Sequence, residues 1–175
     1  AYFANTDRFV MVTTNCLTGK AEYLEEKSDS KRVMDIVRAS SSLPYVTKIT
    51  YVDGVPMLDG GIADSIPVEY ARSQGYERMV VILTRNKGYR KNEKQLPVPK
   101  FIYRRYPELR KTLASRNAQY NRTMEMIERL EDEGRMSIIR PVHPIEVDRM
   151  EKDTDKLRAL YQEGYELAES FLATL

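Results

Sequence analysis

The feature that most constrains the fold of this chain is an unbroken apolar run that follows a short helical segment. Residues 78–84 read Arg-Met-Val-Val-Ile-Leu-Thr, which predicts a strand covered on both faces. Before this run, Pro67 favours the first turn of a helix and Gly75 favours its end. A helix, a glycine and an apolar strand form the second half of a βαβ unit, so the sequence predicts an α/β fold with a parallel sheet.

Hydrophobic periodicity predicts further strands and helices on both sides of this unit. Asp53-Gly54 lies between two apolar runs and predicts a tight hairpin, because both residues readily adopt positive φ. Ser30 is the predicted N-cap of the helix that follows it. The remaining predicted elements are strands at 9–13, 20–24 and 136–141, a basic loop at 85–99, and helices at 101–133 and 148–175.

Composition excludes several classes of protein. Lys plus Arg is 28 and Asp plus Glu is 26, so the net charge of +2 indicates no nucleic-acid partner. The single cysteine, Cys16, excludes an internal disulfide and is typical of a reducing compartment, so we expect a cytoplasmic protein. No apolar run reaches the ~18 residues that a membrane span requires.

The segment with the most chemical content follows the predicted hairpin, where Asp59 precedes Gly60 and Gly61. Catalytic groups in α/β sheets collect beyond the carboxyl ends of strands, and two glycines let backbone or ligand approach the carboxylate closely. The alternative is a structural Asx turn, in which Asp59 only accepts a hydrogen bond from the backbone that follows it. The local pattern leaves both interpretations open.

The order of motifs over residues 8–84 resembles the patatin-like phospholipase family. In chain order these are a strand with a Thr18-Gly19 turn, a helix, Ala-Ser-x-x-x-Pro at 39–44, the hairpin, Asp-Gly-Gly at 59–61, Asp64, Pro67-Val68, a helix and the apolar strand. The C-terminal region, with Ile-Ile-Arg-Pro at 138–141 and Glu-Gly-Tyr-Glu at 163–166, is similar to the bacterial branch of that family.

This resemblance implies part of a patatin-like sheet flanked by helices, and hydrolysis of lipid or small carboxylic esters by a Ser–Asp dyad. Asp59 matches the dyad aspartate that activates the nucleophilic serine, and the family's reaction needs no metal or organic cofactor. Gly60, Gly61 and Asp64 match the flanking motif. Ser65 departs from the family's usual Asp-Asn-x-Pro pattern at the start of the following helix.

The family's nucleophilic serine has no counterpart in these 175 residues. That serine lies in a Gly-x-Ser-x-Gly elbow, and no glycine pair here brackets a serine at this spacing. We therefore expect a fragment, inactive alone, with the C-terminal half of a catalytic domain at 1–84. Residues 85–175 would supply a basic loop, helices and a short strand that pack on the same domain. Loss of upstream strands would open a sheet edge, so we expect the fragment to form homo-oligomers.

Three other kinds of side chain are weaker candidates for chemistry. Ser40, Ser41 and Ser42 lack the flanking glycines of a nucleophile elbow, and we expect them to be structural. His143 has no partners at a metal-ligand spacing and is expected to be structural or exposed. Cys16 is expected to be a small buried residue rather than a reactive thiol.

A run of cations follows the apolar strand and includes Arg85, Lys87, Arg90 and Lys91. The simpler interpretation is a solvated loop and helix face. The functional alternative assigns these four residues to anionic headgroups, with peripheral membrane contact, because aromatic residues are interleaved with them. A rival for the whole chain also stays open, namely a non-catalytic α/β module with a structural Asp59 turn and a partner-binding loop.

Overall fold

The computed structural model describes residues 6–94, 98–99, 101–148 and 151–174. These residues form a mixed α/β structure with a C-terminal helical region, which confirms the predicted fold class. Two compact units are present, one made of Ala1–Val68 with Lys91–Thr123 and the other of Glu69–Arg90 with Met124–Leu175. We call them unit 1 and unit 2. The predicted division at 84/85 stays a prediction.

Unit 1 contains a four-stranded antiparallel sheet in the order β2-β1-β4-β3. Its elements are β1 (Met11–Asn15), β2 (Ala21–Leu24), α1 (Ser30–Ser40), β3 (Thr50–Val52), β4 (Val55–Asp59) and a 3₁₀ turn at Gly60–Ile62. The predicted parallel arrangement is therefore wrong for this sheet. Short connections explain the antiparallel pairs β1–β2 and β3–β4, since a short turn can join only antiparallel neighbours, but the β1–β4 pair is antiparallel across a connection that contains α1.

Both faces of this sheet are covered by helices. On one face, Met57 of β4 packs with Ile36 and Ala39 of α1. The next residue, Leu58, points to the opposite face and packs with Leu109 and Leu113. Those two residues belong to α3 (Pro107–Asp132). Unit 1 is thus a helix–sheet–helix sandwich with β4 at its centre.

The local elements of unit 1 were largely predicted from the sequence, with two corrections. The hairpin at Asp53 (φ 51°) and Gly54 (φ 78°) is confirmed. The N-cap of α1 is Asp29 instead of Ser30, because the Asp29 carboxylate accepts hydrogen bonds from the first-turn N–H groups of Lys31 and Arg32. β1 begins at Met11, two residues later than expected, and Phe9 is exposed.

Unit 2 contains a two-stranded parallel sheet of β5 (Met79–Ile82) and β6 (Met136–Ile139). It also holds most of α2 (Val68–Ser73), the second part of α3, and α4 (Thr154–Leu172). The prediction of a central strand covered on both faces is wrong within the described residues. In the described ranges β5 pairs only with β6, and Val80 and Ile82 are 51% and 74% exposed.

The two long helices differ in how well their apolar positions are buried. Every predicted apolar position of α3 is buried, namely Leu109, Leu113, Tyr120, Met124, Ile127 and Leu130. In contrast, α4 has no buried residue, begins at Thr154 instead of Asp148, and exposes Leu157, Tyr161, Tyr165 and Leu172. No helix in the described ranges has the length and apolarity needed to cross a membrane.

Candidate active site

The backbone of Asp59 is fixed by three neighbouring segments. Asp59 ends β4 and lies opposite Thr13 of β1. Its N–H donates to the Ser42 carbonyl at 2.9 Å, and its carbonyl accepts from the Thr14 hydroxyl at 2.8 Å. The place where the carboxylate leaves the sheet is therefore set by β1, by the loop that follows α1 and by β4 itself.

The Asp59 carboxylate is half-buried and engaged on one side only. Its Oδ1 accepts from the Gly61 N–H at 2.7 Å, which caps the 3₁₀ turn. Its Oδ2 has no hydrogen-bond donor among the described residues. One oxygen thus orients the carboxylate and the other is available to a group that approaches it.

Gly60 lets the turn pass against the neighbouring strand. A Cβ on Gly60 would lie 2.3 Å from the Val12 carbonyl oxygen and 2.6 Å from the Val12 carbonyl carbon, both backbone atoms that cannot rotate away. A Cβ on Gly61 would lie 3.0 Å from Asp59 Oδ1. The close approach predicted at these glycines is present. The backbone of β1 lies against Gly60, and the Asp59 carboxylate lies against Gly61.

Residues that the sequence patterns did not reveal hold the far side of the turn. The Gly61 carbonyl accepts from Arg116 Nε at 3.0 Å and from the Ser65 hydroxyl at 2.8 Å. Thr14 Oγ1, besides its bond to Asp59, accepts from the Ala63 N–H at 3.2 Å. The Thr13-Thr14 pair at the end of the first predicted strand was a weak sequence signal that Thr14 has a structural role. No local pattern distinguishes Arg116, which is 55 residues from its acceptor.

A cleft of about 380 Å³ brings the motif residues together on one side of unit 1. It is lined by Asp59, Gly60, Gly61 and Asp64 and by residues of β1, with Ser40, Ser65 and Pro67 completing the wall. Asp64 Oδ2 accepts from the Tyr23 hydroxyl at 2.7 Å, so this second carboxylate is held by β2.

The serine run at the end of α1 has structural partners. Ser40 Oγ donates to the Val12 carbonyl at 2.8 Å, and the buried Ser42 Oγ donates to the Arg38 carbonyl at 2.7 Å. Cys16 is fully buried, and burial raises the pKa of its thiol to about 12. His143 is exposed. Among the described residues, no cluster of His, Cys, Asp or Glu has the arrangement of a metal site.

Three of the four cations proposed for headgroup contact lie in unit 2 and have partners there. Arg90 forms a two-pronged pair with Glu128, with Nη2–Oε2 at 2.7 Å, and this hydrogen bonding holds the pKa of Glu128 below its usual range. Lys87 Nζ lies 2.9 Å from Asp132, and this pairing raises the pKa of Lys87. The Arg85 guanidinium lies 4.9 Å from the centroid of the Tyr89 ring.

The fourth cation, Lys91, lies in unit 1 and also contacts an aromatic ring. Its ammonium is 3.8 Å from the centroid of the Tyr120 ring, and its backbone N–H donates to Asn121 Oδ1 at 2.8 Å. The structure therefore places Asp59, Gly60, Gly61 and Asp64 in one cleft. The four cations have partners elsewhere in the chain.

Comparison with known proteins gives two family matches. Residues 3–72 match the model of the family described as Patatin-like phospholipase. Residues 106–175 match a family described as Domain of unknown function (DUF6363). The chain is also similar to the Uncharacterized protein YjjU of Escherichia coli (strain K12), at 44% identity over 52 residues.

The alignment with that relative is short, since it spans 29% of this chain and 15% of the relative's length. The family match is longer, and it includes the Asp59 turn, the cleft and the start of α2. A patatin-like segment points in general to esterases and phospholipases. Residues 3–72 of this chain therefore match the Patatin-like phospholipase family, and the match points in general to lipid hydrolases.

Proposed function

We infer that Asp59 is the base of a Ser–Asp dyad in a protein that hydrolyses lipid or small carboxylic esters. The observation that carries this proposal is the half-engaged carboxylate at the wall of a cleft. Oδ1 is held by the Gly61 N–H, and Oδ2 faces no donor within the described chain. Such a group is oriented before the reaction and still has an oxygen to accept a proton.

The nucleophile in this proposal is a serine outside the 175 residues, since no Gly-x-Ser-x-Gly segment occurs among them. That serine's hydroxyl proton passes to the Asp59 carboxylate while its oxygen bonds to the ester carbonyl carbon. Collapse of the tetrahedral intermediate breaks the ester C–O bond, and the departing alcohol takes the proton from Asp59. Water then attacks the acyl-enzyme with Asp59 again as the base, which releases the acid and restores the serine.

The turn around Asp59 contributes positioning to this reaction. Thr14, Arg116 and Ser65 hold the peptide groups on both sides of the carboxylate, so its oxygen stays fixed while the serine's proton moves. The donors that stabilise the oxyanion belong, in this proposal, to the same outside segment as the serine. The 175-residue chain alone is therefore expected to have no ester hydrolase activity.

The test uses the protein expressed from its complete gene, with p-nitrophenyl butyrate as substrate. We expect Asp59→Asn to lower kcat by about 10²–10⁴-fold, because the base is lost while the shape of the side chain is kept. Asp53→Asn is the matched control, since it makes the same chemical change in the β3–β4 hairpin. Full turnover by Asp59→Asn would favour the rival interpretation, a structural Asx turn in a non-catalytic module.

Two further expectations accompany this proposal. A headgroup role for Arg85, Lys87, Arg90 and Lys91 predicts that Lys87→Gln with Lys91→Gln lowers sedimentation with anionic vesicles, and unchanged sedimentation contradicts it.

Self-association of the isolated chain is expected because Val80 and Ile82 of β5 are exposed. Size-exclusion chromatography with light scattering would oppose that expectation by giving a monomer.

A further inference from the structure

Two segments of unit 1, residues 43–52 and 98–107, meet through their tyrosines. The Tyr45 N–H donates to the Tyr103 hydroxyl at 2.9 Å, and the centroids of the two rings are 5.7 Å apart. A hydrogen bond with the Tyr51 side chain raises the pKa of Tyr106. We call the resulting surface the tyrosine face; it consists of Tyr45, Val46, Tyr51, Phe101, Tyr103 and Tyr106.

The tyrosine face is apolar on its outer side and anchored on its inner side. Val46 is 77% exposed and Phe101 is 79% exposed, although neither side chain carries a polar atom. Underneath, Tyr103 and Tyr106 pack against the buried cluster that contains Leu58. Single exposed apolar residues are ordinary in proteins, but a contiguous group with an anchored base is typical of a contact surface.

The charged residues within the two segments of this face all have the same sign. Neither segment 43–52 nor segment 98–107 contains Asp or Glu. Lys48, Arg104 and Arg105 are exposed there, and no ion pair involves them within the described residues. Lys100 belongs to the second segment and lies outside the described residues. This differs from Lys87 and Arg90, whose charges are compensated by acids of α3.

The backbone of the face is held in a conformation that bulky residues rarely adopt. Tyr45 has φ 70° and Tyr103 has φ 52°, both in the left-handed region. Such conformations cost free energy in non-glycine residues and persist where the surrounding structure enforces them. Here the two residues are joined to each other by the hydrogen bond from the Tyr45 N–H to the Tyr103 hydroxyl. The Tyr103 hydroxyl is thus tied to the backbone of Tyr45, and the Tyr45 side chain stays exposed beside it.

We propose that the tyrosine face is the surface by which this protein lies on membranes rich in anionic lipid. Aromatic rings are favoured at the headgroup level of a bilayer, and Val46 and Phe101 supply apolar contact below it. Lys48, Arg104 and Arg105 are attracted by the negative surface potential of such membranes. The proposal rests on the proposed function for the presence of a lipid substrate, but membrane binding itself needs no turnover.

The experiment is vesicle sedimentation of the complete-gene protein carrying Asp59→Asn, so that binding is measured without hydrolysis. Phosphatidylcholine vesicles with and without phosphatidylserine are compared. We expect Arg104→Glu with Arg105→Glu to weaken binding to the anionic vesicles by about tenfold or more. Val46→Ser with Phe101→Ser is expected to weaken it by about fivefold, since two exposed apolar contacts are lost. Both pairs are exposed in this chain, so its own folding is not at risk.

A matched control separates binding by this face from nonspecific hydrophobic adsorption to vesicles. Ile82→Ser with Val142→Ser changes two residues of similar exposure in unit 2 and is expected to leave sedimentation unchanged. Wild-type sedimentation by both tyrosine-face pairs would overturn the proposal. The proposal would also be overturned if the protein did not bind the vesicles but self-associated, and if Val46→Ser with Phe101→Ser made it monomeric. That result would assign the face to a contact between copies of the protein. Either result leaves the assay of Asp59→Asn turnover, and hence the proposed function, untouched.

Discussion

The Asp59 turn and the cationic segment at residues 85–91 both carry charge at the end of a strand, and they differ in how that charge is compensated. Among the residues that the structure describes, Asp59 has a donor on one carboxylate oxygen only, and it borders a cleft. In the cationic segment, Arg90 and Lys87 are paired with acids and Arg85 lies over a ring. The backbone of the Asp59 turn is held by a strand, a helix and a loop, whereas that of the cationic segment is held by side chains of α3.

This difference indicates which charged residues are available for chemistry. A charge that is fully paired stabilises its own surroundings, whereas a carboxylate fixed on one side and open on the other can exchange a proton with a substrate or a nucleophile. Sequence spacing could not separate these cases, because each depends on partners that are distant in the chain. Arg90 and Glu128, for example, are 38 residues apart.

The largest change in the free energy of unfolding is expected for a substitution at Gly60, which tests whether the Asp59 turn is held against β1. In Gly60→Ala the new Cβ would overlap the backbone of Val12, so either β1 or the turn must move. We expect a loss of more than about 3 kcal/mol in the free energy of unfolding, measured with urea.

The control for that change is Gly164→Ala in α4, where the new methyl group would meet no described atom beyond its own stretch of helix. This variant is expected to gain about 0.5–1 kcal/mol from helix propensity. Equal stability of Gly60→Ala and the wild type would show that the Asp59 turn is not held against β1.

An intermediate effect is expected when the hydrogen bonds to the turn are removed without changing its shape. Thr14→Val leaves the Asp59 carbonyl and the Ala63 N–H without their buried partner, which should cost about 2 kcal/mol in the free energy of unfolding. Thr13→Val is the matched control in the same strand, because Thr13 is equally buried and, within the described part of the chain, its hydroxyl donates only to the weak acceptor Met57 Sδ. Its change should stay below about 1 kcal/mol, and similar losses in both variants would contradict the account of the turn.

The smallest effect concerns the ion pair of the cationic segment. Hydrogen bonding from Arg90 lowers the pKa of Glu128, so the pair stabilises the fold above the ordinary carboxyl pKa and loses this contribution as the pH falls through the lowered one. Glu128→Gln should therefore reduce the free energy of unfolding at pH 7 by about 0.5–1 kcal/mol and make little difference in strong acid. Glu125→Gln, an exposed neighbour, is the control. A difference that persists unchanged at low pH would exclude this pairing as the cause.

Much of unit 1 could be predicted from the sequence because its signals are local. Asp53-Gly54 dictates a hairpin and the apolar positions of α3 dictate its buried side, so both predictions are confirmed. The parallel pairing predicted from the apolar run at 78–84 is confirmed for β5 and β6. It is wrong for the main sheet, whose strands are antiparallel, since the apolar run of one strand does not specify how the strands of another sheet are connected. The exposure of Val80 was also missed, because burial on a second face requires a covering element that a strand's own residues cannot reveal.

The residues of the candidate site also fall into two groups, those that the sequence could predict and those that it could not. Asp59, Gly60, Gly61 and Asp64 are consecutive or nearly so, and their motif could be read directly. Arg116 could not be predicted, because its hydrogen bond to Gly61 depends on how α3 packs within unit 1. Positioning groups of this kind become visible only once tertiary contacts are known.

The central claim, that Asp59 activates a serine outside these residues, is tested most directly by covalent capture of that serine. The protein expressed from its complete gene would be treated with a fluorophosphonate and the labelled peptide identified by mass spectrometry. The account predicts labelling of a serine in a Gly-x-Ser-x-Gly segment outside the 175 residues, at a rate that collapses in Asp59→Asn and persists in Asp53→Asn. Labelling within the 175 residues, or an unchanged rate in Asp59→Asn, would contradict it.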